Sequence, residues 1–174
     1  MKRLITFAFL SISIIANGQS SICPSLKSLE GEWQYTNGQD TIRICLRYKD
    51  CIFNIGENKN ILANLWGWHE YKVGNTVKES NYSNRLMNIP SNYDSVILHS
   101  YSILLSMPQC DTTKHSLRGY IDDISQCYES HTVTIQFNSS LNQITWQQEH
   151  SEGYGFISGC KGMTLPKYFI LTKL

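Results

Sequence analysis

Apolar and polar residues alternate one by one along much of this chain, and that period of two narrows its fold more than any other feature. Thr41-Ile42-Arg43-Ile44-Cys45-Leu46-Arg47 sets Ile42, Ile44 and Leu46 on one side and Arg43, Cys45 and Arg47 on the other. Successive side chains of a strand point to opposite faces, so such a run predicts a strand with one apolar face. The same reading applies to 31–35, 51–55, 66–73, 76–79, 117–124, 131–137, 143–149 and 168–174. Residues 95–106 hold Val96, Ile97, Leu98, Ile103, Leu104 and Leu105 and read as a bent strand or a strand pair, with a short helix as the competitor. Tyr48-Lys49-Asp50, Gly74-Asn75 and Ser139-Ser140-Leu141-Asn142 read as turns, while 81–94, 108–116 and 150–167 read as connections. Helical periodicity is nearly absent. About nine or ten short strands joined by turns lack the long crossovers that parallel neighbours need. The expectation is an all-β antiparallel domain, either a barrel or a sandwich.

The first residues do not share this pattern. Lys2 and Arg3 are followed by an apolar stretch, 4–15, broken only by Thr6, Ser11 and Ser13. Ala16-Asn17-Gly18 then presents small residues where a signal peptidase reads. Residues 1–18 are therefore expected to be a cleaved signal peptide, helical in the precursor, with 19–174 as a single domain. A membrane span needs about 20 apolar residues, and this run is shorter and followed at once by polar ones. A lipoprotein signal is disfavoured because Ile22, not a small residue, precedes Cys23. The expected destination is the periplasm or the medium, with no membrane span after cleavage.

About 155 residues then remain, enough for one domain with a real core. The formal charge of the whole chain is +1. Loss of Lys2 and Arg3 leaves 13 basic and 14 acidic residues, a formal charge of −1, so no electrostatic footprint for nucleic acid is expected. The six cysteines, Cys23, Cys45, Cys51, Cys110, Cys127 and Cys160, all follow the signal. Export and an even count make them disulfide candidates, with fifteen possible connectivities. A strand over 117–124 would set its own ends about 25 Å apart, which disfavours a bond between Cys110 and Cys127, the cysteines that flank it. Cys45 and Cys51 flank the expected turn at 48–50 and are placed to meet diagonally. No C-x-x-C pair or zinc spacing is present, so no metal or cofactor is expected.

Catalytic patterns are missing as well. None of the five histidines, His69, His99, His115, His131 and His150, sits at helical spacing from a second ligand. They read as surface or packed residues. Asp122 and Asp123 are strand neighbours that point to opposite faces, and Glu70 beside His69 meets the same objection. There is no nucleophile elbow, phosphate loop or dinucleotide fingerprint. The chain is expected not to be an enzyme. Trp66 and Trp68 share one strand face, and with Trp33 and Tyr35 they are the candidates for lining a ligand cavity. An eight-stranded barrel is just wide enough for packed side chains or one small ligand. Gly153-Tyr154-Gly155-Phe156 is an aromatic loop suited to cover a barrel mouth.

Gly31-x-Trp33, preceded by Leu29, resembles the opening of lipocalin-like barrels, in which a tryptophan on the first strand closes the base. A longer likeness involves the segments 31–41, 67–71 and 117–123, with Leu165-Pro166 and Leu171-Thr172-Lys173-Leu174 at the end. These resemble a family of exported Bacteroidota proteins, catalogued as domain of unknown function 6705. The resemblance implies export and a β fold and supplies no activity.

The combined expectation is a lipocalin-like antiparallel barrel of about 8–10 strands. Its leading role is to bind a small apolar ligand without catalysis. The alternative is an envelope or secreted interaction protein with a solid core, using loops 81–94 and 150–167. Amino-terminal sequencing of the protein recovered outside the cytoplasm should read from Gln19, and an intact Met1 there would remove the signal-peptide reading.

Overall fold

The computed structural model describes residues 26–55, 58–89, 101–111, 115–122, 124, 130–149 and 163–174. The proposed signal, 1–18, lies outside them, as do Cys23, His99, Asp123, Cys127, His150, Cys160 and the Gly153–Phe156 loop.

The alternating segments form nine strands: β1 (Gly31–Asn37), β2 (Asp40–Ile55), β3 (Asn58–Val73), β4 (Thr76–Ser80), β5 (Ile103–Asp111), β6 (Ser116–Asp122), β7 (Ser130–Phe137), β8 (Gln143–Glu149) and β9 (Tyr168–Lys173). All their pairings are antiparallel. The order β2-β1-β9-β8-β7-β6-β5-β3-β4, with β2 also paired to β3, closes eight strands into a barrel and leaves β4 as an addition to β3. Of the barrel and the sandwich that the alternation leaves open, this is the barrel, as the lipocalin-like resemblance implies. Two short 3-10 helices precede β1 (Leu26–Leu29) and follow β4 (Tyr82–Leu86). No helix of the described residues is long and apolar enough to cross a membrane.

Closure sets which side chains point inward. Trp33 lies opposite Ile44, Leu65 opposite Leu105, and Ile135 opposite Trp146. Directly opposed residues share a face. Each of these pairs therefore belongs to the main core, with Ile42, Leu46, Ile103, Leu117, Ile121, Val133, Ile144, Phe169 and Leu171. At the base, Trp33 donates its indole N–H to Leu29 O at 3.1 Å, and Lys173 Nζ stands 5.3 Å from the Trp33 ring centre while bonding Ser28 O. The tryptophan of the Gly31-x-Trp33 motif thus ties the short helix across the bottom of the barrel.

Two expectations are corrected here. Tyr48-Lys49-Asp50 is not a turn. β2 runs unbroken through it because β3 offers a partner at every position, with Tyr48 opposite Leu65 and Asp50 opposite Ala63. Cys45 and Cys51 therefore lie on one strand, about 20 Å apart at the rise of a strand, and cannot bond. Cys45 is instead a buried free thiol. The connection expected at 108–116 is likewise shorter, because β5 continues to Asp111. Pro108 falls within a register shift between Leu105 and Cys110, where a residue without an N–H costs no ladder bond.

Gly119 shows how closely neighbouring strands approach. A Cβ there would stand 2.0 Å from Leu104 O and 2.8 Å from Leu105 Cα. Backbone cannot yield as a side chain does, so Gly119→Ala should cost about 3 kcal/mol or more. Gly38→Ala, at φ +59 with nothing within 4 Å, should cost only about 1 kcal/mol. Urea denaturation of the two variants checks the ranking.

Candidate functional site

Most of the barrel interior is hydrocarbon, but the end opposite the base is polar. The β1–β2 and β3–β4 turns meet there through Gly74 N–H bonded to Gln39 O at 2.7 Å. Below them His69 points inward on the same face as Leu65 and Tyr71, and it has no exposed surface. Its Nε2 lies 3.1 Å from Glu79 Oε1 and its Nδ1 2.7 Å from Ser102 Oγ. Ser102 Oγ is also 3.3 Å from Asn81 Oδ1. Glu79 Oε2 accepts the main-chain N–H of Thr164 at 3.2 Å and its hydroxyl at 3.1 Å.

The local backbone explains how these residues meet. Lys72 pairs with Val77, but Tyr71 pairs with Glu79, so one residue is skipped at a bulge. A bulge re-aims the strand after it. It turns Glu79, which simple alternation would place beside outward-facing Val77, onto the face of Tyr71. Beyond β4 the Asn81 side chain accepts His69 N–H at 2.9 Å, and Asn81 N–H bonds His69 O at 3.1 Å. Ser102 N–H then bonds Gly67 O at 2.9 Å, just ahead of β5. The outer edge of β3 thus stays satisfied across the gap between β4 and β5.

Burial pushes the Glu79 carboxyl upward. The hydrogen bond and charge of His69 and the two bonds from Thr164 outweigh it and hold the group below the ordinary glutamate range. Glu79 is therefore a carboxylate acceptor, which places a proton on His69 Nε2. Ser102 Oγ stands between His69 Nδ1 and Asn81 Oδ1, and its hydroxyl donates to Asn81 Oδ1. The order of groups is that of a serine–histidine–carboxylate relay. A nucleophile must reach its substrate, however, and Ser102 is only 1 % exposed. In this arrangement the network acts as a clamp joining β3, β4, the start of β5 and the segment at Thr164.

A second polar pair sits at the same end. Gln148 Nε2 donates to His131 Nδ1 at 2.9 Å and lies 3.1 Å from Met163 Sδ. Leu165 is buried in the main core. Met163, Thr164 and Leu165 are each fastened, and together they cross the end of the barrel. Among the described residues, Trp146 Nε1 and Gln148 Oε1, inward-facing neighbours on β8, have no hydrogen-bond partner.

The four residues expected to line a cavity divide into two pairs. Trp33 is fully buried at the base, and Tyr35 packs against the core near the polar end, 5.7 Å from the Phe169 ring. Trp66 and Trp68 do share a face, but it is the outer one. They form a separate cluster with Ile89 and Tyr101 because Leu65, Gly67 and His69 take the inward positions. Tyr101 stacks edge-on against Trp66 at 4.4 Å. Arg47 lies 5.8 Å over Trp68 and donates to Arg85 O at 2.8 Å and Met87 O at 2.7 Å. Beside this cluster, burial, reinforced by the Glu32 carboxylate, pushes the Cys45 thiol up and keeps it protonated.

Of the disulfide candidates, Cys51 and Cys110 lie on β2 and β5. His131 is packed and His115 lies on the surface, the two placements expected of the histidines. Glu79, Asn81, Ser102, Gln148 and Thr164 were not singled out in the sequence. None lies in a motif, and the bulge that recruits Glu79 leaves no mark in composition.

The description "Family of unknown function (DUF6705)" matches residues 1–174. The chain belongs to this family. Membership agrees with the resemblance drawn from 31–41, 67–71, 117–123 and the ending, and it brings no activity with it. No curated protein and no solved structure matches the chain.

The depressed Glu79 carboxyl stabilises the fold above the glutamate pKa of the unfolded chain. That contribution is lost as pH falls through the lower folded value. Glu79→Gln should therefore destabilise the protein at pH 7 by about 1–3 kcal/mol. The gap to wild type should close as wild-type Glu79 itself becomes protonated in acid. Chemical denaturation across pH 3–7 (about the glutamate titration range) checks this, and a gap of equal size at both ends would contradict it.

Proposed function

We propose that this protein is an exported, non-enzymatic interaction protein: a solid barrel that works through its surface. One observation carries the reading. A ligand cavity would leave surface on the side chains that wall it, and Trp33, Ile42, Ile44, Leu65, Ile103 and Leu105 have none. Export rests on the charged start, apolar stretch and small residues of 1–18.

The outer surface offers a suitable anchor in the segment after β4. Leu86 is 82 % exposed, with Met87 beside it at 44 %. Arg47 holds the carbonyls on either side of Leu86, so the apolar side chain is presented from a fixed backbone. Rigid apolar anchors contribute most to binding a partner because little freedom is lost when they dock. The partner implied is a protein with an apolar pocket.

A second reading keeps a small guest inside the barrel. Its support is the donor Trp146 Nε1 beside the acceptor Gln148 Oε1, neither of which has a hydrogen-bond partner among the described residues. Titration with the apolar fluorophore N-phenyl-1-naphthylamine separates the two. The solid barrel should give no saturable enhancement. One-site binding that quenches tryptophan emission would overturn it in favour of the guest.

A further inference from the structure

The β2–β3 hairpin outruns its pairing with both neighbours, β1 and β5. β1 accompanies β2 only as far as the Gly31–Leu46 pair, and β5 accompanies β3 only as far as the Asn64–Ser106 pair. β2 and β3 nevertheless continue together from Asp50–Ala63 to Ile55–Asn58. Among the described residues no third strand joins this ribbon on either side. From Asp50 to Ile55 the ribbon is roughly 17 Å long at the rise of a strand.

A two-stranded ribbon is marginal in water without a further strand or a packed face. Natural edges are blunted by proline, bulges or charge. The edge of β2 from Arg47 to Ile55 has no proline and no register shift against β3, and its outer half, Cys51-Ile52-Phe53-Asn54-Ile55, has no charge. The opposite edge on β3 is shorter and carries Lys59.

We propose that the Arg47–Ile55 edge of β2 pairs antiparallel with the same edge of a second copy of this chain, joining two barrels about a two-fold axis at Cys51. The length of the edge selects the register. It begins where β1 stops and ends at the tip of the hairpin, with Cys51 at its centre. Centred there, Arg47 lies opposite Ile55 of the second copy, Lys49 opposite Phe53 and Asp50 opposite Ile52. The whole edge is used, each partner strand turns back before meeting β1, and no like charges are directly opposed. A centre nearer Arg47 would drive the hairpin tip into β1. The interface is self-complementary, as two-fold pairs require. It does not depend on whether the barrel works by its surface or by its interior.

In this register Cys51 faces its own copy, which yields a specific test. Sedimentation equilibrium in reductant should show the purified protein as a dimer. Cys51→Lys and Cys51→Asp each oppose like charges at the axis and should each weaken self-association roughly tenfold. Mixing the two variants should restore pairing, which also shows that both are folded. Treatment of the wild type with diamide gives a readout that needs no variant. The Cα atoms of directly opposed residues are about 4.5–5.5 Å apart, within disulfide reach. Diamide takes up two protons and two electrons from the two thiols and becomes the hydrazine, so a Cys51–Cys51 linked peptide should appear by mass spectrometry. A monomeric wild type, variants that associate as wild type does, no recovery on mixing, or no such peptide would each overturn the proposal.

Discussion

Pairing of the first barrel strand with the last determines the direction of every other side chain. Once Trp33 lies opposite Lys173, and β2 opposite β3, the ladder is a closed ring. A slip of one residue at any seam would exchange inner and outer faces around the barrel. The inner row is nearly all hydrocarbon, and an exchange would place Ile42, Ile44 and Leu46 in water while drawing Arg43 and Arg47 inside. Hydrophobic burial and the backbone ladder therefore enforce the same register, and neither has to compensate for the other.

Against that apolar interior, the polar end is a separate structural problem with its own solution. Burying a histidine, a carboxylate, a serine and an asparagine costs free energy unless their bonds are made. Here they bond mainly to one another, and the carboxylate reaches out to Thr164. Polar residues thus do at this end what the 3-10 helix and Trp33 do at the base. They hold a short segment of chain across the barrel. The two closures differ in kind. The base depends on shape and hydrocarbon, with one indole bond, whereas the other end depends on ionisation.

The strands were legible because most have one wet face. β7 and β8 alternate in burial residue by residue, and their sequences alternate with them. β3 was harder. Leu65 and Tyr71 are buried inside while Trp66 and Trp68 are buried outside, so a strand covered on both sides has no polar face to mark its orientation. Sequence could pair the two tryptophans but could not say which side they took. The length of β2 was obscured by three residues of turn-like composition that a long partner strand overrode. The clamp could not be read at all, because it joins residues from β3, β4, the start of β5 and the segment before β9.

The barrel seam also has a kinetic side. Lys173 reaches Ser28 across 145 positions of sequence, and β9 bonds both β1 and β8. Closing so long a loop is entropically slow, and the ring has no shorter route to completion. Until residues 168–173 arrive, β1 and β8 are both open edges, and the chain is a curved sheet that has not yet sealed its core. The step that commits the chain to its final shape is reserved for its last few residues.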